Sequence, residues 1–202
     1  MKEQNISERL LDVATKRFAT TGYNGTSLSA IATEVGIKKP SLLYHYRSKE
    51  KLRSAVLNRV FEHWNDELPR ILKLATSGED RFDGLVGEVV RFFVRDPNRA
   101  RLILREMLDR PAHLRKRMDD YLGPYISILS DYIQKGVERG EVRADVQPRA
   151  YVLHVIQMVV GGIATADSLG ASSIDLHMNE IVRIARSSLF IDQHRTQELQ
   201  TK

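Results

Sequence analysis

The chain contains no cysteine. That excludes a disulfide framework, a thiolate zinc site and cysteine catalysis, and gives no reason to invoke an oxidising compartment. The six histidines are scattered and form no pair at metal-ligand spacing, so no metal and no other cofactor is expected. A Gly-rich phosphate loop, a Gly-x-Ser-x-Gly and a His-Glu-x-x-His are all lacking, and paired acids such as Asp119-Asp120 read as solvated helix surface; an enzyme is therefore not expected. Charged or polar residues interrupt every apolar run before Val35, which leaves no signal-peptide core. No uninterrupted apolar run approaches the roughly 20 residues that span a bilayer, so the expectation is a cytoplasmic protein without a membrane partner. Internal repeats, low-complexity runs and strand-like alternation are missing as well.

What is present is a composition of 42% hydrophobic and 28% charged residues over 202 positions, enough for a sound core in one large domain or two smaller ones. The net charge of +5 is unevenly placed. Residues 1–53 hold ten Lys/Arg against five Asp/Glu, while the remainder holds 21 of each. A basic segment on a neutral one suggests a nucleic-acid-binding head on a body with another task, although charge alone fits a solvated lysine-rich surface too.

The basic segment carries a distinctive stretch at residues 27–46. Leu28, Ile31, Ala32 and Val35 fall at i, i+3, i+4 and i+7, one side of a short helix capped by Ser27. Gly36 stands where that helix must stop, because glycine alone enters the left-handed conformation without steric penalty. After Ile37, a second short helix starts near Lys39 and Pro40, proline being favoured at the first helical position. Leu42 or Leu43 and Tyr46 face inward; Lys38, Lys39, Ser41, Tyr44 and His45 point outward. Such a pair is either an ordinary helical hairpin or a helix-turn-helix reader of DNA.

The flanks favour the second. Ile6, Leu10, Leu11, Ala14 and Phe18 form an amphipathic first helix ending at Gly22-Tyr23, and Tyr46-Arg47-Ser48-Lys49-Glu50 follows the stretch. With Thr26-Ser27, Ile31-Ala32, Gly36-Ile37 and the Leu/Tyr/His/Tyr second helix, residues 6–53 resemble the DNA-binding domain of the TetR family of transcriptional regulators. The resemblance implies a helix-turn-helix domain over residues 1–50, a helical ligand-binding and dimerisation domain over 51–192 and a tail at 193–202. It also implies a ligand-responsive homodimer acting on an inverted repeat in double-stranded DNA, more simply as a repressor than as an activator. An adaptor or scaffolding dimer that has kept the head without its DNA role is the alternative.

By the same resemblance Thr26, Ser27, Tyr44 or His45, and Lys49 contact phosphates. Lys38, Lys39, Pro40, Ser41 and Tyr44 are candidates for base edges, lysine as a donor to guanine and Pro40 or the Tyr44 ring against a thymine methyl. The family usually has tyrosine where this chain has Leu43, which leaves open whether Tyr44 or His45 takes the backbone.

The rest reads as helices, about nine in an all-α chain. A linking helix begins at Ser48 and runs through Leu52, Val56, Val60, Trp64 and Leu68, with a bend expected at Pro69 and a close at Ser77-Gly78. Further helices span about Glu79 to Arg95, follow Asp96-Pro97, and occupy a long segment after Pro111 that Gly123-Pro124 should kink and Gly140 should stop. Pro148 opens another, and Ser172 or Ser173 caps the last. Large aromatics, methionines and a few polar tips on the middle helices form the expected wall for a mostly apolar effector: Phe61, Trp64, Phe92, Phe93, Met107, Tyr121, Tyr125, His154, Gln157 and Met158. The last two helices look too apolar for a monomer's surface. The resemblance pairs them with their mates in a four-helix bundle, giving Val155, Val159, Gly161, Gly162, Met178, Ile181, Val182, Ala185 and Leu189 as interface candidates. Gly161-Gly162 fits either a close approach of two backbones or packing inside one subunit.

Overall fold

Residues at the helix ends set most of the boundaries in this chain. The computed structural model describes residues 5–74, 78–170 and 174–191, the side chains of 70–74, 78–81, 169 and 174 aside. Its first helix, α1 (Ile6–Thr20), starts where the Asn5 side chain accepts a hydrogen bond from the Ser7 N–H at 3.1 Å. A single turn follows as α2 (Gly22–Gly25), then α3 (Leu28–Val35) and α4 (Lys39–His45). The body consists of α5 (Lys49–Leu74), α6 (Gly78–Val94), α7 (Pro97–Asp109), α8 (Pro111–Glu138), α9 (Pro148–Thr165) and α10 (Ile174–Leu189). Ser48 caps α5 by accepting from the Lys51 N–H at 3.1 Å, and Asp96 caps α7 by accepting from the Asn98 N–H at 3.1 Å. Proline stands in the first turn of α4, α7, α8 and α9, where a missing N–H costs nothing.

The described residues thus form ten α-helices and no strand, with one helix more than expected because Gly22–Gly25 closes a turn of its own. A 3-10 turn, Ala166–Leu169, also precedes α10, and one isolated bridge pairs Val142 with Phe190. Pro69 and Pro124 do not end their helices, which run on to Leu74 and Glu138. Both prolines are exposed, so water can satisfy the carbonyls they leave unpaired. The expected close at Ser77, the caps at Ser172 or Ser173 and the tail at 193–202 lie outside the described residues.

Helices α1 to α4 make the head, with Leu10, Ala14, Phe18, Ile31, Ala32, Val35 and Leu42 buried at its centre. Ile6, expected on the inner face, stays 38% exposed in the first turn of α1. Helix α7 is the internal strut: it packs on α1 of the head and on α8 and α9 of the body. Residues 148–168 are long enough and, at mean hydropathy 1.3, apolar enough to cross a bilayer by length and composition, which qualifies the expectation drawn from uninterrupted runs. Their branched residues Val152, Val155, Val159, Val160 and Ile163 are instead buried against neighbouring helices of the same chain.

Candidate nucleic-acid interface and the cavity behind it

Ser27 accepts from the Ala30 N–H at 3.0 Å and so fixes the start of α3. Gly36 closes that helix at φ +81°, donating to the Ala32 and Thr33 carbonyls; the left-handed turn is what lets α4 leave at an angle. Leu42 is the anchor of α4, fully buried, and Leu43 is half-buried beside it. Tyr46 turns inward, its hydroxyl 2.9 Å from Ser7 Oγ. What α4 then presents to solvent is Lys38, Lys39, Pro40, Ser41, Tyr44 and His45, all exposed, with the Tyr44 ring at 87% and edge-on to His45. Arg47, which the residue patterns did not single out, is exposed next to them. Elsewhere in the head, Arg17 pairs with Glu34 at 2.6 Å and Arg9 donates to the Val35 carbonyl at 2.6 Å, while Asp12 takes Arg59 of α5 at 2.7 Å. The lysines around α4 have no such acid partner among the described residues. An outward, unneutralised, mixed basic and aromatic surface of this kind suits phosphates and base edges.

Thr26 does not join that surface. It is 2% exposed, and its hydroxyl is 2.8 Å from both the Gly22 carbonyl and Thr21 Oγ1. A buried hydroxyl so engaged fixes the α2–α3 corner and has nothing left to offer a phosphate. Lys49 is half-buried, its Nζ 4.2 Å from the Tyr23 ring centroid. Burial, and then the neighbouring Arg53 charge, lower its affinity for a proton.

Tyr23 is the hub of the junction between head and body. Arg53 of α5 and Arg110 at the end of α7 stand 4.5 and 5.5 Å from its ring centroid, and Phe18 packs at 5.8 Å. Arg53 also forms a fully buried ion pair with Glu106 of α7, both side chains under 5% exposed. Arg110 pairs with Glu50 at 2.6 Å. Burial raises the Glu50 carboxyl, but hydrogen bonds from Arg110 and Tyr23 outweigh it and hold the group below its ordinary range. One turn back on α7, Arg105 donates to the last carbonyls of α1, Ala19 at 3.0 Å and Thr20 at 3.1 Å. The ion pairs and the Arg105 hydrogen bonds join residues 53 to 86 positions apart, so they have no local signature.

The same two helices wall the inside of the body. An apolar chamber of about 40 Å³ lies between Val60, Phe61 and Trp64 of α5 and Ile103 and Met107 of α7, with Phe92 and Phe93 of α6 behind it. A second chamber of about 80 Å³ abuts it, between Trp64, Phe82, Val86, Leu122, Tyr125, Leu129, Tyr151 and Val155, among others. Trp64, Val89, Leu122 and Ile156 line both. Trp64 meets Phe92 edge-on at 4.7 Å, and Phe61 stacks on Tyr121 at 5.7 Å. Of the expected wall, Phe61, Trp64, Phe92, Phe93, Met107 and Tyr125 line a chamber, and Tyr121 reaches one only through Phe61. Met158 packs half-buried on the core and lines neither. His154 and Gln157 are exposed on the far side of α9, and His154 Nδ1 lies 2.7 Å from the Ala150 carbonyl of its own helix. Those two are withdrawn from the cavity wall.

The interface candidates also need sorting. Val155, Val159, Met178, Ile181, Ala185 and Leu189 are at most 9% exposed within a single chain. They bind α9 to α10 and to the rest of the body, and cannot meet a mate without unpacking. Gly162 belongs with them: a Cβ there would sit 2.9 Å from Ile181 Cδ1, so this glycine admits α10 of its own subunit. Gly161 faces open space instead. It falls in an outer stripe of α9 with Ala150, His154 and Gln157, and α10 offers Leu176, 67% exposed, and Ile184, 41% exposed. Val182 is half-buried at the edge of that surface.

Residues 10–56 match the family model "Bacterial regulatory proteins, tetR family", and residues 79–189 match "Tetracyclin repressor-like, C-terminal domain". The chain is similar to the biofilm operon negative transcriptional regulator IcaR of Staphylococcus epidermidis, 26% identical over 142 residues that cover 69% of this chain and 74% of that protein. Its fold is similar to that of the ketosteroid transcriptional regulator KstR2 of Mycobacterium tuberculosis, with TM-score 0.74, 17% identity and coverage of 95% and 98%. FadR of Bacillus subtilis, in complex with stearoyl-CoA, shares the fold at TM-score 0.71, 15% identity and coverage of 90% and 98%.

Proposed function

Because this chain belongs to the TetR family of bacterial transcriptional regulators, we propose that it is a repressor that holds an inverted-repeat operator as a homodimer and lets go when a small, mostly apolar effector enters the body. The observation that carries the proposal is the outward face of α4: Lys38, Lys39, Pro40, Ser41, Tyr44 and His45, exposed on a helix that one leucine anchors. A short helix held this way can enter a major groove without losing its packing. Lys38, Lys39, Ser41 and the Tyr44 ring read base edges; Ser27, Tyr44 or His45, Arg47 and Lys49 hold phosphates.

Two such heads bind successive grooves on one face of the duplex if their centres lie about 34–36 Å apart. The pairing surface is the outer stripe of α9 at Ala150, His154, Gln157 and Gly161 together with Leu176, Val182 and Ile184 of α10. Gly161 allows another backbone to come close, and the two exposed aliphatic side chains supply apolar area. The protein works in the cytoplasm, where the operator is.

Release follows from shared helices. Chamber residues Val60, Phe61 and Trp64 lie on α5 and Ile103 and Met107 on α7. The same helices grip the head through Arg105 on the last carbonyls of α1 and Arg53 and Arg110 over Tyr23, and are locked to each other through Arg53–Glu106 and Arg110–Glu50. A ligand that spreads α5 from α7 therefore changes the tilt of the heads, and it does so only by binding the tilted state better. The test is duplex binding by mobility shift across a library of inverted repeats. Retention of one repeat over random duplex, abolished by an apolar additive that raises the melting temperature, supports the reading. Equal retention of all sequences removes it.

A further inference from the structure

The composition of the chamber walls says more about the effector than its being apolar. Among the described residues, neither chamber is lined by Asp, Glu, Lys, Arg or His. Almost no polar atom faces either chamber, and the tyrosine hydroxyls of the larger one are turned to other partners. One of them, Tyr151, already donates to the Ala185 carbonyl of α10, and burial pushes its pKa up to about 12, so it stays protonated and committed. Tyr125 reaches the Asn65 carbonyl only at 3.5 Å, a contact weak enough to exchange for a better acceptor. The two chambers are also not independent: Trp64, Val89, Leu122 and Ile156 line both, so their side chains are what separates them.

Resting on the reading of this cavity as the effector site, we infer that the effector is an uncharged, largely aliphatic chain that passes Trp64 to fill both chambers. An ionised head group enters such a wall with its water stripped away and no partner to replace it, so it is refused. A single neutral oxygen is accepted only at the rim, where the Tyr125 hydroxyl can turn from its exposed contact with Asn65. Filling both chambers moves the indole that links α5 to α6, which ties occupancy to the helix that carries the head.

Trp64 is the single tryptophan of the chain, and it lines both chambers, so its emission reports occupancy without a label. The probes are 1-hexanol, 1-octanol, 1-decanol, methyl decanoate and decanoate at pH 8, each below its aggregation concentration, on the full-length protein. Alcohol affinity should climb about fourfold per added methylene from hexanol to decanol, the factor expected for burying each CH₂. Methyl decanoate should bind, and decanoate should bind at least tenfold more weakly than decanol. Decanoate equal to or tighter than decanol overturns the exclusion of charge. A plateau beyond hexanol overturns the passage past Trp64, and no emission change or thermal shift with any alcohol or ester overturns both. Operator retention is read in the same samples. Binding in the expected order with undiminished retention leaves this inference standing and removes the release step of the proposed function.

Discussion

The junction between head and body and the cavity inside the body are built from the same two helices in opposite materials. At the junction, Arg105 donates to two carbonyls of α1 and Arg53 and Arg110 cover the Tyr23 ring, while the pairs of Arg53 with Glu106 and Arg110 with Glu50 lock α5 to α7. A turn or two away they face each other through hydrocarbon, with room to spare. Directional contacts hold one geometry and fail abruptly, whereas an apolar wall yields gradually and tolerates several packings. A regulator needs both, a yielding part that a ligand can reshape and a stiff part that hands the change on.

The largest expected effect comes from breaking the junction at its buried pair. Glu106→Ala leaves the Arg53 guanidinium buried without its partner and should cost about 3–5 kcal/mol of stability, read by urea unfolding. Replacing both members with apolar residues of similar size, Arg53→Met with Glu106→Leu, should be near neutral in stability. That double variant sharpens the comparison: operator retention is kept while its loss on adding a cavity ligand is blunted. An unchanged ligand response would mean that the head is driven through some other contact.

The second prediction turns on adjacent glycines. Gly162→Ala places a methyl 2.9 Å from Ile181 Cδ1, the far end of a side chain that must turn aside, so crowding offsets the helix gain of about 1 kcal/mol and the net stability should change by less than about 1 kcal/mol. Gly161→Ala meets no atom within 4 Å in its own chain and should raise helix stability by up to about 1 kcal/mol, yet weaken dimerisation measured by sedimentation. Equal dimer affinity in that variant would move the pairing surface away from this stripe.

Acid supplies the third test. The Glu50 carboxyl is held below its ordinary value, so its contribution is complete above that value, about 4.3, and is lost as pH falls through the lower folded one. Hydrogen exchange at the start of α5 and around Tyr23, where Glu50 is held, should therefore quicken below about pH 4 before the apolar body opens. Simultaneous opening of both regions would contradict the contrast between them. The smallest effect is at the DNA surface: Lys49→Ala should weaken all duplexes alike and lower the salt slope by about one unit, whereas Lys39→Ala or Ser41→Ala should change sequence preference.

Local punctuation made the head legible from residues alone. Ser27, Gly36 and Pro40 each act within four positions of themselves, and the structure has all three in the expected roles. Periodicity found the helices of the body but not the company each face keeps. Val155, Val159 and Ala185 are as apolar as an interface residue, and nothing in their spacing distinguishes a neighbour in the same chain from a mate. The same blindness placed His154 and Gln157 in a cavity wall, although they lie on the outer face of α9. Thr26 differs: the resemblance carries its position but not its burial, and in the fold its hydroxyl is taken by the Gly22 carbonyl. The Arg53–Glu106 pair joins residues 53 positions apart and was beyond any local reading.

The most direct measurement is the dependence of duplex affinity on salt for one selected inverted repeat and for random DNA, with and without the cavity probe 1-decanol. The account predicts a steep loss of affinity with salt for both duplexes, a clear preference for the repeat, and disappearance of that preference when the alcohol is bound. An affinity that ignores salt, or a preference that survives a filled cavity, would contradict it.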